Sequence, residues 1–313
     1  MVSSSKPKVL FIAGTGRSGS TLIGSLLGTV RNAVAVGEVR FLWERGLIVN
    51  QTCGCGEVFM NCEFWKEVLA RVEQSVDGFD PERIAATLAK TVRIRRLPGL
   101  LYDGADLDVM VRESIYEVYE SISAISSNAV IIDSSKLPTY AMLLAEDARI
   151  DLKILHVVRD PRASAWSWMR GQRGANSAAE LQIVDEQMDR FSPLKSSLLW
   201  SLWNTTAKNV FGSGDYQLLR YEDFVERPRE TIVNTSRFAG LDVRDEIFTG
   251  PDKAILELSH TVAGNPNRLH RGLTRIVSDD EWHSAMPRSS QLLVTAITRP
   301  VLRSLGYSTR SAR

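Results

Sequence analysis

Residues Lys8-Val9-Leu10-Phe11-Ile12-Ala13-Gly14-Thr15-Gly16-Arg17-Ser18-Gly19-Ser20-Thr21 decide the fold. Val9 to Ala13 is an unbroken apolar run, the composition of a strand buried on both faces. A glycine-rich turn follows. From Thr21 the apolar positions Leu22, Ile23, Leu26, Leu27 and Val30 recur at helical spacing. A strand, a flexible turn and a helix N-terminus make an anion cradle. The glycines let backbone N–H groups converge, and the helix dipole adds positive potential at the same place. Arg17, Ser18, Ser20 and Thr21 contribute side-chain donors.

The spacing Gly14-xxxx-Gly19-Ser20-Thr21 nearly fits a nucleoside-triphosphate loop, but Ser20 stands where such a loop needs lysine. The basic residue lies inside the turn instead, as Arg17. This loop suits a phosphate group and is poorly equipped for ATP or GTP.

Further strands alternate with helices along the chain. Ala33–Val36 is a short strand ended by Gly37-Glu38, and 129–133 is a buried strand running into Ser134-Ser135-Lys136. Lys153 to Val158 is the next, followed by Arg159-Asp160-Pro161, and Tyr216 to Arg220 is a fifth. Apolar strands separated by helices predict a P-loop-type three-layer α/β sandwich. Its mostly parallel sheet has about five strands, with helices on both faces. Residues 39–65 read as irregular with some helix. Helical periods dominate 65–127, where Asp80-Pro81-Glu82 is a helix start, and this stretch reads as a helical insertion or cap. Two helices are expected in 179–211 and a closing amphipathic helix in 291–305. Without repeats or linkers, residues 1–313 read as a single domain. Ligands of such sheets lie beyond the carboxyl ends of the strands, which places Arg17, Glu38, Lys136 and Arg159 on one rim.

With 38 basic and 37 acidic side chains the chain carries a formal charge of +1, so no global field draws it to nucleic acid or a membrane surface. No apolar run approaches the roughly 18 residues of a membrane span, and no signal-peptide pattern opens the chain. The expectation is a soluble, cytoplasmic protein. The three cysteines cluster as Cys53, Cys55 and Cys62. Cys-x-Cys with one further Cys and no neighbouring His is not a standard zinc spacing. An odd number in a cytosolic chain weakens a disulfide reading. They are read as thiols pinning a loop near Phe64 and Trp65, with no metal.

A second anion motif follows the fourth strand: Arg159-Asp160-Pro161-Arg162, with Ser167 eight residues after Arg159. An Arg and a hydroxyl there can grip one phosphate from two sides. Taken alone, Arg-Asp-Pro is equally a capping turn with a local ion pair. Together with Thr15-Gly16-Arg17-Ser18-Gly19-Ser20-Thr21-Leu22, this motif resembles the two cofactor loops of sulfotransferases, enzymes that use 3′-phosphoadenosine 5′-phosphosulfate (PAPS). The first loop is similar to the 5′-phosphosulfate loop in the Arg version of carbohydrate and tyrosylprotein sulfotransferases. The second resembles the 3′-phosphate site. Leu219-Arg220-Tyr221-Glu222-Asp223-Phe224 and Gly264-Asn265-Pro266-Asn267-Arg268 extend the resemblance along the chain, outside 65–127.

The resemblance implies sulfuryl transfer from PAPS to an acceptor hydroxyl of a carbohydrate, lipid or small natural product. Adenosine 3′,5′-bisphosphate (PAP) is the product, and no metal is needed. It assigns Gly16, Arg17, Ser18, Gly19, Ser20 and Thr21 to the 5′-phosphosulfate, Arg159 and Ser167 to the 3′-phosphate, and Tyr221 to the adenine. Arg268, Arg271 and Gly272 would close over the cofactor. Glu38, in Gly37-Glu38, is similar to the tyrosylprotein enzymes' base, and Lys136 to the family lysine that stabilises the transferring group. Arg17 would join them in catalysis. Glu38 could instead be a solvated loop residue or pair with Arg40, and His260 is the second candidate base. His156 reads as a satisfied core histidine. Room is left for a homodimer. The competing readings are a P-loop small-metabolite kinase, with Asp133 as its magnesium ligand, and a non-catalytic nucleotide-binding protein.

Overall fold

The computed structural model describes residues 5–170, 190–242 and 247–307. Strands β1 (Lys8–Gly14), β2 (Ala33–Gly37), β3 (Val130–Lys136), β4 (Asp151–Val158) and β5 (Tyr216–Arg220) form one sheet. Their order is β2-β3-β1-β4-β5, and every pairing is parallel. The expected five-stranded parallel sheet is therefore present. A second sheet, not foreseen, pairs β6 (Lys253–Leu256) antiparallel with β7 (Gly272–Arg275). Its strands are too short to stand out by alternation.

The all-apolar character of β1 has a direct cause. Val9, Phe11 and Ala13 pack into one hydrophobic cluster, and Leu10 and Ile12 into another on the opposite face. A period of two with both faces buried leaves no position for a polar residue. Each fully buried Leu, Ile or Phe of such a strand stabilises the fold by about 1.5–3 kcal/mol. On one face lie α1 (Ser20–Gly28), α9 (Tyr221–Glu226) and α10 (Pro228–Ala239), through Ile23, Leu26, Phe224 and Ile232. The other face is covered by α2 (Glu63–Ser75), α3 (Pro81–Thr91), α5 (Val109–Ile125) and α6 (Pro138–Ala145), through Val68, Ile84, Val118 and Leu144. The three layers of a P-loop-type α/β fold result.

The remaining helices are α4 (Leu97–Tyr102), α7 (Pro161–Arg170), α8 (Pro193–Phe211), α11 (Trp282–Ala285) and α12 (Arg288–Ser304). Of the two helices expected in 179–211, the second is α8, and most of the first lies outside the described residues. Asp80 caps α3 as its sequence predicts, its side chain accepting the Arg83 N–H at 3.0 Å with Pro81 in the first turn. Residues 39–48 wind as a 3-10 turn, Val39–Phe41, and a π-helical stretch, Leu42–Ile48, a rare geometry common beside functional sites. His156 is the core histidine expected. Its Nε2–H donates to Asn204 Oδ1 at 2.8 Å and its Nδ1 accepts from the Tyr216 hydroxyl at 2.7 Å, a tautomer assigned from these partners. Burial lowers its pKa to about 4, so the ring is neutral. Among the described residues no helix is long and apolar enough to cross a membrane.

Candidate active site

All five parallel strands release their chain at the same edge of the sheet, and the candidate residues follow from that. β1 runs into the Arg17 loop, β2 into Glu38, β3 ends on Lys136, β4 leads to Arg159, and β5 to Tyr221. Two of these residues hold left-handed backbone: Arg17 at φ 68° and Lys136 at φ 67°. Non-glycine residues are seldom held there, and such strain concentrates at functional positions. At Lys136 it accompanies an irregularity in the β1–β3 register between Phe11 and Ala13.

The first loop is an anion cradle with unused donors. Among the described residues, Thr15 Oγ1, Ser18 Oγ, and Nε and Nη2 of Arg17 are buried without a hydrogen-bond partner. Unpaired buried polar atoms cost roughly 1–3 kcal/mol each, and an anion in the turn would relieve that cost. Gly19 precedes α1 in left-handed conformation, and the first helical bond is Ile23 N–H to Gly19 O at 3.1 Å. The N–H groups of Ser20, Thr21 and Leu22 thus precede the helical ladder and face the turn. Gly19 must be glycine: a Cβ there would lie 2.4 Å from the Tyr221 ring. Gly16 backs onto Trp168, whose ring lies under the Arg17 guanidinium, 4.9 Å from its centroid.

The second loop meets the first at Tyr221. The Arg159 guanidinium lies over the Tyr221 ring at 4.6 Å and donates to Arg17 O at 3.4 Å and Asp279 O at 3.1 Å. The Asp279 carboxylate stands 3.3 Å from Arg159 and 2.9 Å from Arg170. Trp200 Nε1–H donates to Arg159 O at 2.9 Å and fixes the backbone. Asp160 accepts from both N–H and side chain of Arg162, so the capping ion pair and the presentation of Arg159 coexist in one turn. Ser167 is half-buried on α7. Ser164, one turn nearer Arg159, is buried with an unpartnered Oγ and shares a helix face with Ser167. Ser164 is absent from the residues expected from sequence, although its spacing of three from Ser167 marks the shared helix face.

Glu38 is a buried carboxylate engaged by two cations. Lys136 Nζ donates to Oε1, and Arg40 Nη2 lies 3.9 Å from Oε2. Burial alone would raise the Glu38 pKa, but the charges of Lys136 and Arg40 and the Lys136 hydrogen bond outweigh it and hold the carboxyl below its usual range. The carboxylate is ionised at neutral pH. Arg40 is partly desolvated in turn, burial lowering it to about 10, and its backbone N–H donates to Ser135 Oγ at 3.1 Å.

Asp133 is sealed beneath this pair. Its Oδ2 accepts the Tyr119 hydroxyl at 2.5 Å and its Oδ1 the Ser135 N–H at 2.7 Å, with no exposed surface. The aspartate that a kinase would turn toward magnesium therefore presents no free oxygen at the rim. Arg268 and Arg271 reach the cysteine loop. Arg268 donates to Thr52 O at 3.0 Å and Gly264 O at 3.3 Å, and Arg271 to Cys55 O and, at 3.4 Å, Gly54 O. Gly272 opens β7. His260 stacks on Phe64 with centroids 4.6 Å apart, and its Nδ1 is 3.2 Å from Cys62 Sγ. The histidine missing beside the cysteines in sequence is thus supplied from 198 positions away. All three thiols are free, and burial pushes those of Cys53 and Cys62 up.

A family model described as sulfotransferase domain matches residues 7–259. The chain is 27% identical over 172 residues to carbohydrate sulfotransferase 3 of Homo sapiens and 25% identical over 174 residues to the Mus musculus protein of that name. Each match covers 52% of this chain and 35% of the relative, so the chain spans about a third of those relatives' length. Among solved structures, a sulfotransferase domain from the curacin biosynthetic pathway superposes with a TM-score of 0.53 at 17% identity. It covers 96% of this chain and 98% of that chain, a likeness of fold.

Burial raises the Asp133 carboxyl to about 6, above its unfolded value of about 3.9. A carboxyl shifted upward stabilises the folded state fully only below about pH 4, and loses that contribution as pH rises through about 6. Asp133→Asn keeps an oxygen for the Ser135 N–H and does not titrate. Urea unfolding between about pH 4 and pH 7.5 should show wild type losing stability relative to the variant across that window. A difference independent of pH would mean that Asp133 is ionised throughout.

Proposed function

The chain belongs to the sulfotransferase domain family, and from that membership we propose that it transfers a sulfuryl group from PAPS to an acceptor hydroxyl. The similarity to carbohydrate sulfotransferase 3 supports a carbohydrate hydroxyl as the acceptor class. One observation carries the donor assignment: the Tyr221 ring touches Gly19 of the first anion loop and Arg159 of the second. A nucleotide with two separate anionic groups, on the 3′ and 5′ positions of one ribose, and an aromatic base suits that arrangement, and a nucleoside triphosphate does not.

The residues present fit such a donor. The unpartnered groups of Thr15, Arg17 and Ser18, with the N–H groups opening α1, would hold the 5′-phosphosulfate. Arg159, with Ser164 and Ser167 on the next helix, would hold the 3′-phosphate once its contact with Asp279 is exchanged for the ligand. Tyr221 would pack on the base. When bound, PAPS supplies an activated sulfuryl group, whose sulfur–oxygen bond to the phosphate breaks as the acceptor oxygen bonds to sulfur. Arg17 neutralises the charge that accumulates on the departing phosphate, as preorganised cations do in related in-line transfers.

Glu38 takes the acceptor proton. Its ionised state suits a base, but the hydrogen bond from Lys136 suppresses its basicity. Burial raises the proton affinity of Glu38, and Lys136 drawn toward the sulfuryl oxygens would remove the strongest of the cationic influences that oppose it, leaving those of Arg40 and Arg45. Lys136 would thereby couple donor binding to activation of the base.

Three measurements test the proposed donor, its 3′-phosphate site and the base. In thermal shift, PAP should stabilise the protein without magnesium, whereas ATP with magnesium should not, and the reverse result would return the chain to the kinases. Arg159→Ala should weaken PAP by about 10- to 100-fold, the worth of a charge-assisted hydrogen bond, and adenosine 5′-phosphosulfate far less. Equal losses would refute the 3′-phosphate role. Separately, Glu38→Gln should lower turnover by about 10²- to 10⁴-fold with PAP affinity nearly intact, read as the mass shift of the sulfonated acceptor. Undiminished turnover would remove Glu38 as the base.

A further inference from the structure

We propose that Cys53, Cys55, Cys62 and His260 form a structural zinc site that ties the loop before α2 to the segment holding Glu38. The four side chains offer ligand atoms that all lie within 4.8 Å of one another, and Cys62 Sγ is 3.2 Å from His260 Nδ1. A tetrahedral zinc with bonds of about 2.0–2.3 Å needs neighbouring ligand atoms about 3.5–3.8 Å apart. Movements of a few tenths of an ångström to an ångström would bring the cluster to that geometry. Three thiolates with one imidazole is a recurrent structural zinc set, with no position left open.

The surroundings are those of a built site. Cys53 and Cys62 are buried and Cys55 half-buried. Cys62 directly precedes α2, where the positive end of the helix dipole favours a thiolate. The His260 ring is clamped flat on Phe64 with an interplanar angle of 6°, and Trp65 Nε1–H fixes its backbone by donating to His260 O at 2.8 Å. Such outer contacts orient metal-ligating imidazoles. The charges balance as well. Three thiol protons leave to solvent on binding, so the occupied site carries one net negative charge. The Arg271 guanidinium lies against it, donating to Cys55 O and Gly54 O.

The site would add a covalent-strength tie between two segments that already meet through backbone and through Trp65, Arg268 and Arg271. Gly54 N–H donates to Thr261 O at 2.9 Å, and a Cβ at Gly54 would fall 2.3 Å from Thr261 Oγ1, so close approach is built in. From Thr261 the chain passes straight to β2: Val262 N–H donates to Val36 O, and Glu38 N–H to Val262 O, both at 2.9 Å. Zinc at His260 would therefore anchor the strand that fixes the Glu38 backbone. This positioning role rests on reading Glu38 as the base, whereas metal binding itself does not.

Zinc content is measured on the whole chain, purified under reducing conditions after exposure to Zn²⁺, by native mass spectrometry and elemental analysis without donor or acceptor. The expected result is one zinc per chain, falling to a minor fraction in Cys55→Ser and His260→Ala. Cobalt added to metal-free wild type should give a thiolate-to-cobalt charge-transfer band and the visible absorption of a tetrahedral ion, which needs no variant to fold. No zinc uptake, zinc content unchanged in both variants, or a cobalt spectrum without thiolate bands would overturn the proposal. So would a zinc-free chain two mass units light, the sign of a disulfide. In His260→Ala, turnover should fall while PAP affinity holds. Failure of wild type to bind PAP would count against the sulfuryl-transfer reading and leave the metal result standing.

Discussion

A carboxylate and an ammonium, Glu38 and Lys136, are held together at the sheet rim with less than a fifth of either side chain exposed. Charges so far out of water are tolerated only when paired, and removing one partner of such a pair typically costs about 3–5 kcal/mol because the other is left uncompensated. The pair spans the ends of two neighbouring strands, β2 and β3. Its geometry is therefore a consequence of the parallel sheet, and small shifts of either strand would be felt as electrostatic energy.

The layers beneath and beside the pair limit such shifts. Asp133, Tyr119 and Tyr140 form a sealed polar set below it, and Ser135 links that set to Arg40. Satisfied buried networks of this kind rigidify their surroundings. Val262 supports the backbone of Glu38 from the far side. The left-handed backbone of Arg17 and Lys136 fits the same picture: two strained residues at the ends of paired strands, held by packing that over-determines them.

What could be read from the amino-acid order divides along the range of the signal. The five strands and the Arg17 loop are local patterns, apolar runs and turn residues, and each appears where its pattern puts it. The rim assignment of Arg17, Glu38, Lys136 and Arg159 follows from topology alone, because parallel strands share a carboxyl edge. Two features escaped. The antiparallel pair β6–β7 has four residues in each strand, too few for periodicity to speak. His260 lies 198 positions from Cys62, and no local spacing can announce a contact closed by the tertiary fold.

The segment from 259 to 268 makes several of the long-range contacts near the rim. It runs alongside β2 as an isolated bridge at Val262, brings His260 to the cysteines, and sends Arg268 into the loop at Thr52. Closing so long a loop costs entropy that grows only slowly with its length, but the contacts must still repay it, and most are backbone hydrogen bonds of modest net worth. The apolar gain there is small: Val262 and Ala263 are its buried hydrophobic residues. A segment so lightly held by apolar packing, yet with Gly264 against the Glu38 carboxylate, would gain from a further fastening, and the cluster of thiols and imidazole stands at the point where one would be effective.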